Sequence, residues 1–320
     1  TALALALLAL IGSGAIGGSL VLAALVMLSL ARGLSSIATK DVLGKTIAKR
    51  RRGTLMGWSG SVAGGATLVA GGVLMWFGDR PGNLALAILL GVAAAGWLLN
   101  ALCAARIKEV PGSIEGGENA WDSIKLGLSL LREDRTFLHF NVARALLLSS
   151  ALALPYLALL GQQQSGTELG GLGILVVVSG LAAMVASPIW GKRADQSSRR
   201  VMRDAAVGTV LCCLLGAALA WLPGDWTQSV LPYAAIYALL VIVHHGVRLG
   251  RKTYLVDIAS QDNRALYVAL SNTLTGVLML VVGGIIGALA QWLGSAMLLV
   301  VLALTAVGAM FSAQRLPEAE

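Results

Sequence analysis

Stretches of some twenty apolar residues recur along almost the whole of this 320-residue chain, and that recurrence limits what it can fold into. A helix rising 1.5 Å per residue needs about 20 such residues to cross the ~30 Å hydrocarbon core of a bilayer. Ten candidate spans can be marked, at 1–17, 19–44, 54–77, 83–105, 137–160, 169–190, 202–222, 230–252, 266–288 and 295–312. They are too long and too uniformly apolar for barrel strands, which alternate. Lipid offers the backbone no hydrogen-bond partner, so helices remain as the way across. Composition agrees: 57% of residues are hydrophobic and 12% charged, against roughly 45–50% and 25% in soluble domains. The expected fold class is an all-α membrane protein with the lipid bilayer as its solvent.

The connections between spans alternate in character. One set, at 78–83, 161–170, 223–229 and 291–295, is short and holds only Arg80 of the 24 Lys and Arg residues. The other set, at 45–52, 106–135, 192–203 and 251–264, is basic. Basic loops stay in the cytoplasm, which predicts a multi-pass protein of a bacterial-type plasma (inner) membrane with its C-terminus inside. The same pattern accounts for the pI near 9.8 without nucleic acid as a partner. Trp76, Trp97, Trp221, Trp226 and Trp292 fall near span ends, where an aromatic belt would place them. Trp121, Ile124, Leu128 and Leu131 carry helical apolar spacing in the longest loop, as in a helix lying on the inner surface.

Enzymatic signals are missing. No Walker loop is present, no zinc-ligand spacing and no Ser-His-Asp arrangement, so neither a catalytic role, a metal nor a cofactor is expected. Cys103, Cys212 and Cys213 sit in apolar spans and read as small packing residues. Thr1 opens directly into an apolar span without a basic leader, which reads as a start inside a membrane helix rather than a signal peptide.

An internal repeat emerges at an offset of 212 residues. RRGTLMGWSGSVAGGATLVAGGVL at 51–74 lies without gaps on NRALYVALSNTLTGVLMLVVGGII at 263–286, pairing Arg52 with Arg264, Ser59 with Ser271 and Gly64 with Gly276. The same offset pairs Lys40 with Lys252. Each copy starts from the basic side, so the repeats are parallel, as in transporters built from two halves about an axis along the membrane normal. The second half opens near 137, and 137 − 212 = −75 sets its counterpart about two helices before Thr1, so ten visible helices of a probable twelve are expected.

After the span at 169–190 comes GKRADQSSRR, with Gly191, Asp195, Arg199 and Arg200. It resembles the loop signature of the major facilitator superfamily, with Arg193 and Ser198 departing from it. LARGLSSIATKDVLGKTIAKRRRGTLMGW, at 30–58, resembles the family's fourth helix with an embedded arginine and the start of its fifth. The resemblance implies a helical bundle of two pseudo-symmetric halves: 1–106 as the remainder of an N-terminal half, 107–136 as a central cytoplasmic loop, 137–313 as a C-terminal six-helix half and 314–320 as a cytoplasmic tail. It also implies a permease moving a small-molecule substrate by alternating access, with Gly191, Asp195, Arg199 and Arg200 as a gating latch. In that latch Asp195 would cap a helix end and pair with an arginine of its own half. A monomer is expected.

Ionisable residues inside the membrane are costly, about 2.5–3.5 kcal/mol on insertion scales, and tend to face cavities. Arg32 lies near mid-depth and leads the candidates for substrate or coupling contacts; the alternative is a structural arginine bonded to carbonyls. Lys40 and Asp41 lie closer to the cytoplasm and could snorkel. Arg144 lies about two turns into the span at 137–160. His244, Arg248 and Lys252 recur every four residues and should share one face, with His245 beside them, and a histidine there could relay a proton. Asn272 and its neighbours Ser271, Thr273 and Thr275 give another helix polar density. Coupling to protons or sodium stays open. Two other functions compete: a non-transporting sensor or scaffold derived from a transporter, and a lipid-modifying membrane enzyme. Polar side chains facing one central cavity from both halves would favour transport.

Overall fold

A computed structural model describes residues 15–76, 83–108, 125, 129–165, 172–224, 227, 229–260 and 263–319. Eight helices follow in order: α1 Ala15–Thr46, α2 Lys49–Trp76, α3 Asn83–Ala104, α4 Arg135–Leu146, α5 Ser149–Ser165, α6 Leu172–Trp221, α7 Val230–Ile258 and α8 Arg264–Gln314. There is no strand among the described residues. Among the described residues, seven stretches are long and apolar enough to cross a membrane, α4 and α5 together making one of them.

Two of those stretches are double. The 50 residues of α6 and 51 of α8 would each run about 75 Å as one straight helix, more than twice a bilayer core. Each is broken near its middle. In α6 the break is Ser197, whose extended backbone (φ −162°, ψ 103°) falls in the basic segment 192–203. In α8 it is Gly294, at φ 72° and ψ 166°. Of the ten expected spans, the nine from 19–44 onward each coincide with a described helix or half-helix; 1–17 lies almost wholly outside the described residues, as do Arg80, Trp226 and most of the surface helix expected around Trp121, Ile124 and Leu128. Leu131 is described and packs on the core beneath α4.

Local chemistry sets the helix ends. Asp134 caps α4 by accepting from the Phe137 N–H at 2.9 Å and also accepts from the Tyr267 hydroxyl at 2.5 Å, tying α4 to the start of α8. Between α4 and α5 the Ser149 and Ser150 hydroxyls turn back onto the carbonyls of Leu146 and Leu147, at 2.8 and 2.9 Å. Gly294 occupies a backbone region open essentially to glycine alone, and beyond it Ser295 donates to Gln163 at 3.1 Å, fixing the turn against α5.

The packed core belongs to α4–α8. One cluster, near the basic end, joins Phe137, Phe140, Met202, Tyr254, Leu255 and Tyr267. A second, toward the other end, joins Leu157, Cys213, Tyr233, Leu240, Leu298 and Leu302. Within the apolar windows of these helices 39–44% of residues are buried, against 6–11% for α1, α2 and α3, so the first three helices present most of their surface outward. Cys212 and Cys213 are buried packing residues, whereas Cys103 is exposed. Trp76, Trp221 and Trp292 are exposed at the ends away from the basic loops, as an aromatic belt requires. Trp97 is exposed as well and also borders a cavity.

Extensive contact joins α2 to α6, and small residues make it possible. A methyl group at Gly64 would come within 2.5 Å of the Met184 nitrogen, and one at Gly180 within 2.5 Å of the Leu68 nitrogen. Further along, a methyl group at Gly57 would meet the Ser187 carbonyl at 2.6 Å, and one at Gly191 the Gly53 carbonyl at 2.5 Å. The two backbones run in direct contact over much of their length, the mode of approach that small residues permit in lipid.

Candidate functional site: a basic cavity above a sealed end

A cavity of about 690 Å³ opens where α1, α2, α6 and α7 meet, with Trp97 of α3 at its edge. From α1 it receives Arg32, Ser35, Thr39 and Lys40, one face of the helix at three- and four-residue spacing. Helix α2 contributes Ser59, Gly60 and Thr67, and α6 contributes Ser179 and Ser187. Across from α1, α7 presents His245, Arg248 and Lys252. No carboxylate lines this cavity among the described residues. By the 1.5 Å rise, Arg248 sits about 15 Å and Arg32 about 21 Å before the basic ends of their helices.

Of the stripe read from the sequence, Arg248 and Lys252 reach the cavity with the neighbouring His245, and His244 does not. The His244 ring nitrogen Nδ1 meets the Ser150 hydroxyl at 3.0 Å, so this histidine faces α5. The cavity stripe is His245, Arg248 and Lys252. At about 100° per position, 244 and 245 lie on either side of 248 and each within about 60° of it, so helix geometry admits both and the Ser150 contact on α5 decides between them. Arg144 and Asn272 come together away from the cavity: the guanidinium donates to the amide oxygen at 3.0 Å, joining α4 to α8. Asn141 and Ser271 form a neighbouring bond at 2.6 Å.

Below the cavity the basic end is closed by the carboxylates that the cavity lacks. Asp195 accepts from the backbone N–H of Gly53 at 2.6 Å and of Thr54 at 2.8 Å, and from the Thr54 hydroxyl. It thus binds the second turn of α2, a carboxylate near the positive end of the helix dipole. The sequence points to a cap together with an arginine of the same half; the helix met by Asp195 lies in the first part of the chain, and among the described residues no arginine pairs with Asp195. Gly191 lets α6 approach closely enough for this. Arg199 turns to the chain terminus, meeting Glu318 at 2.7 Å and donating to the Leu316 carbonyl at 3.0 Å. Arg200, largely exposed, lies 3.8 Å from Glu318. The Ser197 hydroxyl donates to Glu318 at 2.8 Å, and the Tyr254 hydroxyl to the Pro317 carbonyl at 3.0 Å, so 315–318 is docked under the break in α6.

Two arginines complete the seal, and they are the pair the internal repeat aligns. Arg52 bonds Asp257 at 2.9 Å and donates to the carbonyls of Gly44, at 2.7 Å, and Ile47, at 3.0 Å. Arg264 lies 4.0 Å from Asp41 and donates to the Ala259 carbonyl at 3.3 Å. Both arginines are buried. Each lies in the first turn of its own helix and reaches an aspartate in the last two turns of a helix of the other repeat. Asp41, which also pairs with Lys45, belongs to this seal and not to the cavity. Asp257, Gly53 and Glu318 were not singled out as site residues in the sequence; the signal for Arg52 and Arg264 was their coincidence in the repeat.

The family model of the Major Facilitator Superfamily matches residues 1–243. No curated protein matches the chain.

Proposed function

The chain belongs to the major facilitator superfamily of membrane transporters, and from that premise we propose that it carries a small solute across a bacterial inner membrane by alternating access between two pseudo-symmetric halves. The observation that carries this reading is the pairing of a cavity with a one-sided seal. Polar and basic side chains reach the cavity from α1 and α2 on one side and from α6 and α7 on the other. The reciprocal bridges Arg52–Asp257 and Arg264–Asp41, with the Asp195 cap on α2, close the basic end. On the positive-inside rule that end is cytoplasmic. The geometry then suits an outward-facing or occluded state, and transport requires the latch to break as the halves rock. A scaffold has no need of mid-depth cations at a shared cavity; Arg32 and Arg248 favour transport over it.

The test is accessibility. A cysteine at Ser59, placed in the full-length protein with Cys103, Cys212 and Cys213 replaced, should react with a membrane-impermeant maleimide from the periplasmic face. Adding Asp195→Ala should move labelling toward the cytoplasmic face. Labelling that stays on one face regardless of the latch would overturn alternating access.

A further inference from the structure

We propose that the transported solute is a small organic anion, bound through its carboxylate or phosphate groups by Arg32 and Lys40 from one side of the cavity and Arg248 and Lys252 from the other. The inference rests on the transport reading above and names its substrate class. The four side chains line one cavity, and none of them has an ion pair or hydrogen bond among the described residues. Nearby carboxylates are already engaged: Asp41 with Lys45 and Arg264, Asp257 with Arg52, Asp195 with Gly53 and Thr54 of α2. Outside the cavity lining, Arg144 and Arg251 add two guanidiniums, with Nε of the first and Nη1 of the second buried without a hydrogen-bond partner among the described residues.

Cations gathered without counter-charge inside a bilayer repel one another and lack the anion that would offset their desolvation. Arg32 and Arg248 are two such like charges lining the same cavity. An anion seated between them cancels that repulsion, and an arginine fork matches the two oxygens of a carboxylate or phosphate. Because the arginines come from opposite sides of the cavity, the same anion also draws the two sides together. Substrate binding and closure are thereby one event. The cavity volume, about 690 Å³, is in the range of sites for metabolite-sized ligands, and the hydroxyls of Ser59, Thr67, Ser179 and Ser187 suit the polar remainder of such a molecule. A cationic solute would meet only like charge here.

The experiment is uptake into proteoliposomes holding the full-length protein, with citrate, succinate, glucose 6-phosphate and glycerol 3-phosphate as anions, glucose as the neutral probe and choline as the cation. We expect protein-dependent uptake of at least one anion and of neither glucose nor choline. In Arg248→Gln and Lys252→Gln that uptake should fall at least tenfold, through a raised KM, while the thermal unfolding midpoint stays within a few degrees. Uptake of glucose or choline alone overturns the inference and leaves the transport reading standing. Anion uptake indifferent to both substitutions overturns the assigned site. If no probe moves, the anion inference fails, and the transport reading fails with it only if labelling at Ser59 does not switch faces either.

Discussion

Single residues at two positions carry strain or charge that nothing nearby can replace. Gly294 sits at φ 72° and ψ 166°, where a Cβ is sterically excluded. Gly294→Val should cost about 1–3 kcal/mol and lower the unfolding midpoint, even though open space surrounds the position; an unchanged midpoint would mean that the turn can be rebuilt in another conformation. Asp195 accepts three hydrogen bonds at one helix end. Asp195→Ala should remove about 1–2 kcal/mol of cap, seen as an increase in cytoplasmic labelling of a Ser59 cysteine, whereas Asp195→Asn, which keeps an acceptor, should have a smaller effect. The sequence made Asp195 visible through its spacing to Gly191 and the basic pair. It could not say which helix lies over the carboxylate, because that depends on two segments 142 positions apart. His244 and His245 show the same limit at finer grain. A four-residue period names a stripe, but adjacent residues compete for it, and only the packing of Ser150 against one of them settled which turned inward.

At the scale of helices, apolar length was the legible quantity. Spans from 19–44 onward agree with helices or half-helices to within a few residues, because the thickness of the lipid core fixes how long an apolar run must be. What joins helices was much less legible. Glycine is abundant throughout, and nothing in its count distinguishes Gly64 and Gly180, which let two backbones touch, from Gly72 and Gly91, which face open space. Gly180→Leu should therefore force α2 and α6 apart, lower stability by about 1–3 kcal/mol and abolish uptake, while Gly91→Leu leaves both nearly unchanged. Equal effects at the two positions would argue against the α2–α6 seam as the organising contact. The repeat was likewise readable only as an alignment of Arg52 with Arg264; that each reaches the other repeat's aspartate is a property of the folded pair.

For the molecule as a whole, acids and bases hold different stations. The aspartates close one end; lysines and arginines line the space above. Breaking one partner of a buried pair leaves the other uncompensated, and Arg52→Ala should cost about 3–5 kcal/mol. Charge reversal at both members, Arg52→Asp with Asp257→Arg, should recover part of that, giving a coupling energy of about 0.5–3 kcal/mol in a double-mutant cycle read by thermal unfolding. Additive effects would show the bridge to be incidental. The backbone-to-backbone line between α2 and α6 has a mechanical corollary. Interdigitated side chains must leave their rotamers before one helix can turn on another, as teeth must lift clear of a gear. Where glycines face carbonyls there is little to lift clear, and the line behaves as a smooth axle. The energetic barrier to rocking then concentrates at the far end, in the ion pairs and the cap, so turnover should follow the strength of those few polar contacts far more closely than the size of any apolar residue along the shaft.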